Sequence, residues 1–434
     1  MSIELSIERL AYGGKGVSHL PNGKTVFVEG ACPGDVVEAE VTAERANLAE
    51  AKVAGVLSPS PQRIAPKCPY SGLCGGCPWQ IVAYDTQLEW KRRFVVDSLT
   101  RIGGFADADE IVRPCIRSNK EWEYRNKVEL VSSIVNGRLS LGFHASGSDE
   151  VVPVTECKML PRAFSKAPKS LAGALRYLKA DEYGLERVGV RISTRTGEAQ
   201  IALWTEPGGF PRAAAANVLK SSMKHNSLVR VLVKGEMKAR QVKGVELLDG
   251  IEQWHERLGD MHMGVSAPSF FQVNTRGAES LIALVMDGLG VEEGSTACDL
   301  YCGAGTFTLP LAERCDEVFA IEAASSSVRD LRRNLDDNGL DAEVIGGDAA
   351  RESAGIGQVD HLVVDPPYAG LAPEVFDRIE ELSPGRIAMV SCNPTTLARD
   401  LKKLVEQGYA IERVTPVDLF PQTFHVESVA ILSR

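Results

Sequence analysis

Residues 296–307, TACDLYCGAGTF, decide how this chain folds. The first six read as a short apolar strand, and glycines 303 and 305 open a tight turn beyond it. Outward from that turn, strands and helices alternate regularly. Strand candidates are Glu317–Glu322, 342–345, His361–Val364 and Arg386–Ser391, with helices at 278–289 and Ser325–Asn338 between them. Such alternation predicts an α/β, doubly wound, Rossmann-like sheet whose ligand lies beyond the carboxyl ends of its strands.

The rest of the 434-residue chain suggests about three domains. Residues 1–58 read as a small β-barrel, with strand-like runs punctuated by Gly13-Gly14, Asn22-Gly23 and Pro33-Gly34. A nucleic-acid-binding barrel and a simple packing module both fit this pattern; the first 57 residues carry five basic against eight acidic side chains. After the linker Ser58-Pro59-Ser60-Pro61 comes a mixed α/β region, 62–265. Its expected strands are Lys127–Val135, 187–194, 199–204 and 228–233, and its expected helices are 84–101, 160–177 and 213–224. The doubly wound domain occupies 266–434.

A formal net charge of −10 argues against a protein that coats nucleic acid indiscriminately, while leaving room for a local basic channel. Residues 224–243 hold Lys224, Arg230, Lys234, Lys238, Arg240 and Lys243 against Glu236 alone, and Lys91, Arg92, Arg93 and Arg101 form a second cluster. Either could equally be a solvated face. The N-terminal residues lack a basic start followed by an apolar run, and no apolar stretch is long enough to span a bilayer. The expectation is a cytoplasmic, monomeric protein with no membrane partner.

Cys68, Cys74 and Cys77 stand at C-x5-C-x2-C spacing, with Gly72, Gly75 and Gly76 free to wrap around a metal centre. Spacing alone admits tetrahedral zinc or an iron–sulfur cluster.

Two loops beyond the sheet bear on chemistry. The run Arg386–Ser391 delivers Cys392 into Asn393-Pro394, where Pro394 suits a first helical position. A thiol between a strand end and a helix mouth is expected to have a lowered pKa. Glu427 follows 35 residues later, at the start of a strand that reads as a hairpin with Ala410–Val417. Added antiparallel strands of this kind distinguish many methyltransferase sheets from dinucleotide-binding ones. Glu322 closes the second strand, 17 residues beyond Gly305, where a carboxylate can accept both ribose hydroxyls. The glycine loop lacks the GxGxxG spacing that holds a pyrophosphate, so S-adenosylmethionine, which has no phosphate, suits it better than NAD. Asp348 could receive an adenine amino group or simply cap a helix.

Cys392 and Glu427 together are what methylation of uracil at carbon 5 requires. A thiolate adding at carbon 6 makes carbon 5 nucleophilic, and a base then removes the carbon 5 proton. Asp365-Pro366-Pro367-Tyr368 offers a rival: it resembles the motif of amino-methyltransferases that act on adenine or cytosine nitrogens, which have no use for that cysteine or glutamate. A non-catalytic RNA-binding protein is the other alternative.

SCNP at 391–394, TLARD at 396–400 and FPQTFHVE at 420–427 resemble the RNA uracil-5-methyltransferases with a TRAM domain, an iron–sulfur cluster and an S-adenosylmethionine-dependent domain. The resemblance spans nearly the whole chain. It implies that Cys392 forms the covalent adduct and Glu427 is the base. It implies cofactor contacts for Gln272, in SFFQVN at 269–274, and for Tyr301, Glu322 and Asp365, with Phe270 an aromatic on the base side. It implies Cys157 as a fourth ligand beside Cys68, Cys74 and Cys77, and a [4Fe-4S] cluster of structural role. The implied substrate is RNA, 23S ribosomal RNA first and a transfer-RNA T-loop uridine second. Two departures stand out: Tyr368 occupies a position that is usually arginine, and the barrel is acidic in character where relatives often carry basic residues around 44–48.

Overall fold

The computed structural model describes residues 2–235 and 241–434. Glu236, Lys238 and Arg240 of the expected basic stretch lie outside the described residues.

The C-terminal region forms the expected doubly wound sheet of seven strands. Their spatial order is Glu343–Gly346, Glu317–Glu322, Thr296–Leu300, His361–Val364, Arg386–Ser391, Glu427–Ser433 and Ala410–Val417. The first five run parallel, and Glu427–Ser433 enters antiparallel between Arg386–Ser391 and Ala410–Val417. The predicted hairpin is therefore present, with its second strand inserted in the sheet. His361–Val364 is buried at every residue, as a strand covered on both faces must be. Helices Thr275–Leu289, Ser325–Asn338, Pro373–Leu382 and Pro394–Glu406 cover the sheet.

The free side of Ala410–Val417 is not left open. Val112 and Ile116 bridge in parallel to Val414 and Val417, and Arg113 and Ile116 donate their amides to the carbonyls of Val414 and Pro416. Helix Tyr84–Ser98 packs alongside, so Val95, Leu99, Ala108 and Val112 share one apolar core with Leu300, Met389, Leu401 and Ala430. Lys91, read from sequence as part of a basic patch, is instead fully buried and ion-paired to Asp418, which also accepts from the Tyr84 hydroxyl. Arg230 is buried too, bonded to Thr205 and Glu246. Both are inward-facing charges, because each has a partner that sequence position does not reveal.

Residues 127–250 form a second seven-stranded sheet, ordered Gln241–Gly250, Ser227–Lys234, Ala199–Thr205, Leu185–Ile192, Lys127–Val135, Arg138–His144 and Val151–Pro153. The expected helix at 160–177 is a 3-10 turn at Arg162–Phe164 followed by Ala167–Tyr177, with Pro168 in the first helical turn. The N-terminal region is a curled six-stranded sheet built from Ser2–Ser6, Arg9–Leu10, Gly16–His19, Thr25–Glu29, Val36–Glu44 and Leu48–Ser58. Among the described residues no helix is long and apolar enough to cross a membrane.

Candidate active site

Strand register brings the two sequence-predicted catalytic residues together. Ser391 pairs with Ser428 as the last pair of the antiparallel ladder, which leaves Cys392 and Glu427 just beyond it, near enough for the Glu427 carboxylate to raise the Cys392 thiol. Cys392 then leaves the strand into helix Pro394–Glu406. Asn393 caps that helix, its side chain accepting from the Thr395 amide at 3.0 Å, with Pro394 at the first position as expected. The Asn393 amide group also donates to the Tyr368 carbonyl at 3.1 Å, tying the DPPY loop to the cysteine turn.

The expected low-pKa thiol is not what this pocket makes. Burial, then the nearby carboxylates of Glu427 and Asp365, push the Cys392 thiol up to about 12. The helix mouth is present, but the surrounding acids and loss of water outweigh it. Burial also lifts Glu427 to about 8, with Asp365 adding to the shift, and lifts Asp365 to about 7. The pocket is thus a cluster of groups that resist losing protons until a positive charge arrives.

The cofactor cleft has the same bias. Asp299 is fully buried, and its carboxyl is raised to about 7 by burial and by Asp365 and Glu322. One of its oxygens accepts from the Thr308 hydroxyl at 2.6 Å; the other has no partner. Asp299 lies within the stretch that decides the fold but is not among the residues singled out from sequence. Gly303 adopts φ +58°, and its amide donates at 3.0 Å to Glu322, whose second oxygen accepts from the Ala324 amide at 2.6 Å. Tyr301 holds φ +66°, a conformation uncommon for a side-chain-bearing residue and suggestive of a shaped site. Gln272 is buried on the loop between Met261–Val265 and Thr275–Leu289, its carbonyl held by the Asn126 side chain at 2.9 Å. Phe270 and Tyr368 are exposed at 63% and 56%, which leaves both rings free to stack. Asp348 caps the short helix Ala349–Glu352, accepting from the amides of Ala350 and Arg351, so the capping alternative accounts for one of its oxygens. An acidic cleft suits a ligand that carries a sulfonium and an ammonium, and disfavours a pyrophosphate.

The four candidate metal ligands also meet. Cys68, Cys74, Cys77 and Cys157 line one small cavity with Tyr70, Phe143, Val154 and Met159. The Cys68–Cys77 loop is stitched to the central sheet by a bridge between Cys74 and Ala145 and by the Gly75 amide on the His144 carbonyl, at 2.9 Å. A Cβ at Gly75 would meet that backbone at 3.1 Å, so the close approach needs glycine. Burial raises the thiols of Cys74, Cys157 and Cys77, the last to about 12, while Arg125 pulls all three down. Among the described residues no three of His, Cys, Asp and Glu converge closely enough to hold a single metal ion.

A family model described as tRNA (uracil-5-)-methyltransferase matches residues 213–354 and 356–434, and a TRAM domain model matches 2–54. The chain belongs to the RNA uracil-5-methyltransferases. Its relatives include an uncharacterized RNA methyltransferase of Chlorobaculum tepidum, 35% identical across 100% of this chain and 96% of that one. A 23S rRNA (uracil(1939)-C(5))-methyltransferase of Shewanella amazonensis is 33% identical, over 99% and 95%. Among solved structures, the tRNA (uracil-54, C5)-methyltransferase of Pyrococcus abyssi, in complex with S-adenosyl-L-homocysteine, is 29% identical; 99% of each chain is covered with a TM-score of 0.77. The RNA uracil-5-methyltransferase described here is therefore an S-adenosylmethionine-dependent enzyme with a Rossmann-like catalytic sheet and an N-terminal TRAM domain. The amino-methyltransferase and non-catalytic readings lose their support, because the family's methylated atom is carbon 5 of uracil.

Proposed function

We propose that the enzyme methylates a uridine of a folded RNA through a transient bond between Cys392 and carbon 6 of the ring, with Glu427 as the base. The observation that carries this reading is that Cys392 and Glu427 flank the last pair of one ladder, Ser391 with Ser428, with Asp365 beside both. Cys392 gives up its proton to solvent water, and its sulfur bonds to carbon 6 as the double bond between carbons 5 and 6 opens to an enolate. Bound S-adenosylmethionine supplies the methyl group as an electrophile. Glu427 then takes the proton left on carbon 5, the double bond re-forms, and the Cys392 thiolate departs.

Gln272, Tyr301, Gly303, Glu322, Asp348 and Asp365 would hold the cofactor, and Asp299 would add a buried charge facing it. Cys68, Cys74, Cys77 and Cys157 would hold a [4Fe-4S] cluster of structural role. The four cysteines lining one cavity support that reading. Iron and sulfide quantification on anaerobically purified protein tests it against zinc.

Transfer RNA is the substrate to test first. The description of the matching family and the full-length Pyrococcus abyssi structure both support it. Ribosomal RNA, ranked first from the sequence, keeps the support of the Shewanella amazonensis relative. Residues 1–58 and 62–265 would bind the RNA and 266–434 carry out methyl transfer, in a cytoplasmic monomer. Tritium release from uracil carbon 5 in undermodified transfer or ribosomal RNA, with and without S-adenosylmethionine, decides the matter. Cofactor-dependent release identifies the RNA; none from either, in protein that binds the cofactor, overturns the proposal.

A further inference from the structure

The N-terminal sheet does more than lie beside the catalytic domain. Its loop between Arg9–Leu10 and Gly16–His19 reaches the catalytic turn, and Tyr12 on that loop donates its hydroxyl to the Cys392 carbonyl at 3.2 Å. The side chain of Tyr368 lies near the same hydroxyl. The Cys392 carbonyl lies past the last strand pair, at Ser391, and before the Asn393 carbonyl that accepts the first helical amide, from Leu397. It therefore belongs to neither ladder, and Tyr12 supplies its donor.

The loop is built to hold that hydroxyl in place. The Tyr12 ring stands edge-on to Phe94 and to Phe424, with centroids at 5.7 and 6.0 Å. The Gly14 carbonyl accepts from the Trp79 indole at 3.1 Å. Gly14 itself has φ +87°, and a Cβ there would strike the Phe424 ring at 2.6 Å, so the close docking requires glycine. Phe424 precedes Glu427 by three residues, so one loop touches the approaches to both halves of the catalytic pair.

We infer that Tyr12 is a positioning residue of the active site: its hydroxyl, bonded to the Cys392 carbonyl, fixes the nucleophile's turn. The TRAM domain thereby completes the catalytic pocket. The inference rests on Cys392 being the nucleophile.

The test uses full-length protein with its cluster intact and an RNA substrate carrying 5-fluorouridine, which traps the carbon 6 adduct. Tyr12→Phe keeps the ring packed and removes only the hydroxyl. The expected result is a fall in kcat and in adduct formation of about tenfold, the scale of one lost hydrogen bond, with KM for RNA and cofactor affinity unchanged. Wild-type kcat and adduct rate in Tyr12→Phe would overturn the inference. A wild-type enzyme that forms no adduct at all would instead overturn the role of Cys392.

Discussion

Cys392 and the quartet Cys68, Cys74, Cys77 and Cys157 are all half-buried thiols, yet their surroundings carry opposite signs. Cys392 faces Glu427 and Asp365, and both raise its pKa beyond what burial alone does. The quartet faces Arg125, which works against burial at Cys74, Cys77 and Cys157. Burial raises the thiols in both places, Cys77 and Cys392 alike to about 12. Neighbouring charge adds to that rise at Cys392 and offsets part of it at Cys74, Cys77 and Cys157.

Replacing the nucleophile tests the contrast most severely. Cys392→Ala should reduce methyl transfer to below about one thousandth of wild type while leaving iron content and melting temperature unchanged. Residual turnover near wild type would remove the thiol from the mechanism. Glu427→Gln should slow turnover by roughly 10² to 10⁴ and accumulate a covalent RNA–protein band on denaturing gels, because the carbon 5 proton has no acceptor.

Cys157→Ser should do the reverse of Cys392→Ala: bound iron falls by at least half and the protein melts earlier, measured by iron assay and calorimetry. Retention of full iron content would remove Cys157 from the ligand set.

The pH dependence follows from the acid pocket. Glu427 is raised to about 8 and the Cys392 thiol to about 12, so kcat/KM should climb with pH, its logarithmic slope falling by one unit as pH passes about 8. Stability runs the other way. Folded Glu427 holds its proton where the unfolded chain, near 4.5, has lost it. Its contribution to stability is present below that value and is lost as pH rises through about 8. Denaturation midpoints of Glu427→Gln measured across pH 4 to 9 should decline less than wild type. The smallest expected effect is at the helix mouth. Asn393→Ala removes the cap of Pro394–Glu406 and should cost about 1 kcal/mol by denaturant titration.

Much of the catalytic domain was legible because its signals are local. Strands Glu317–Glu322, His361–Val364 and Arg386–Ser391 and helix Ser325–Asn338 stand where apolar runs and periodicity predict them. Pro394 announces its helix by fixing φ at a first position. The central sheet was harder. Its edge strand Gln241–Gly250 carries Gly, Lys and Glu among its apolar residues, and the Trp254–Leu258 and Met261–Val265 hairpin is too short for a periodicity to declare itself. What sequence could not reveal was pairing across distance. Lys91 reads as surface charge until Asp418, 327 residues away, is beside it. Cys392 reads as an activated thiol until its two acids are in place. Tyr12 offers no signal at all, since its partner is 380 residues distant.

The edge pairing of Val112 and Ile116 with Val414 and Val417 bears on modularity. A fragment cut at residue 266 would lose that cover, present the unpaired backbone of Ala410–Val417 to other molecules, and leave Asp418 without Lys91. Such a fragment is set up to self-associate through its naked strand. The methyltransferase sheet is consequently not a portable cassette: grafting it onto another RNA-binding scaffold requires bringing residues 84–118 along, although they precede the sheet by most of the central domain.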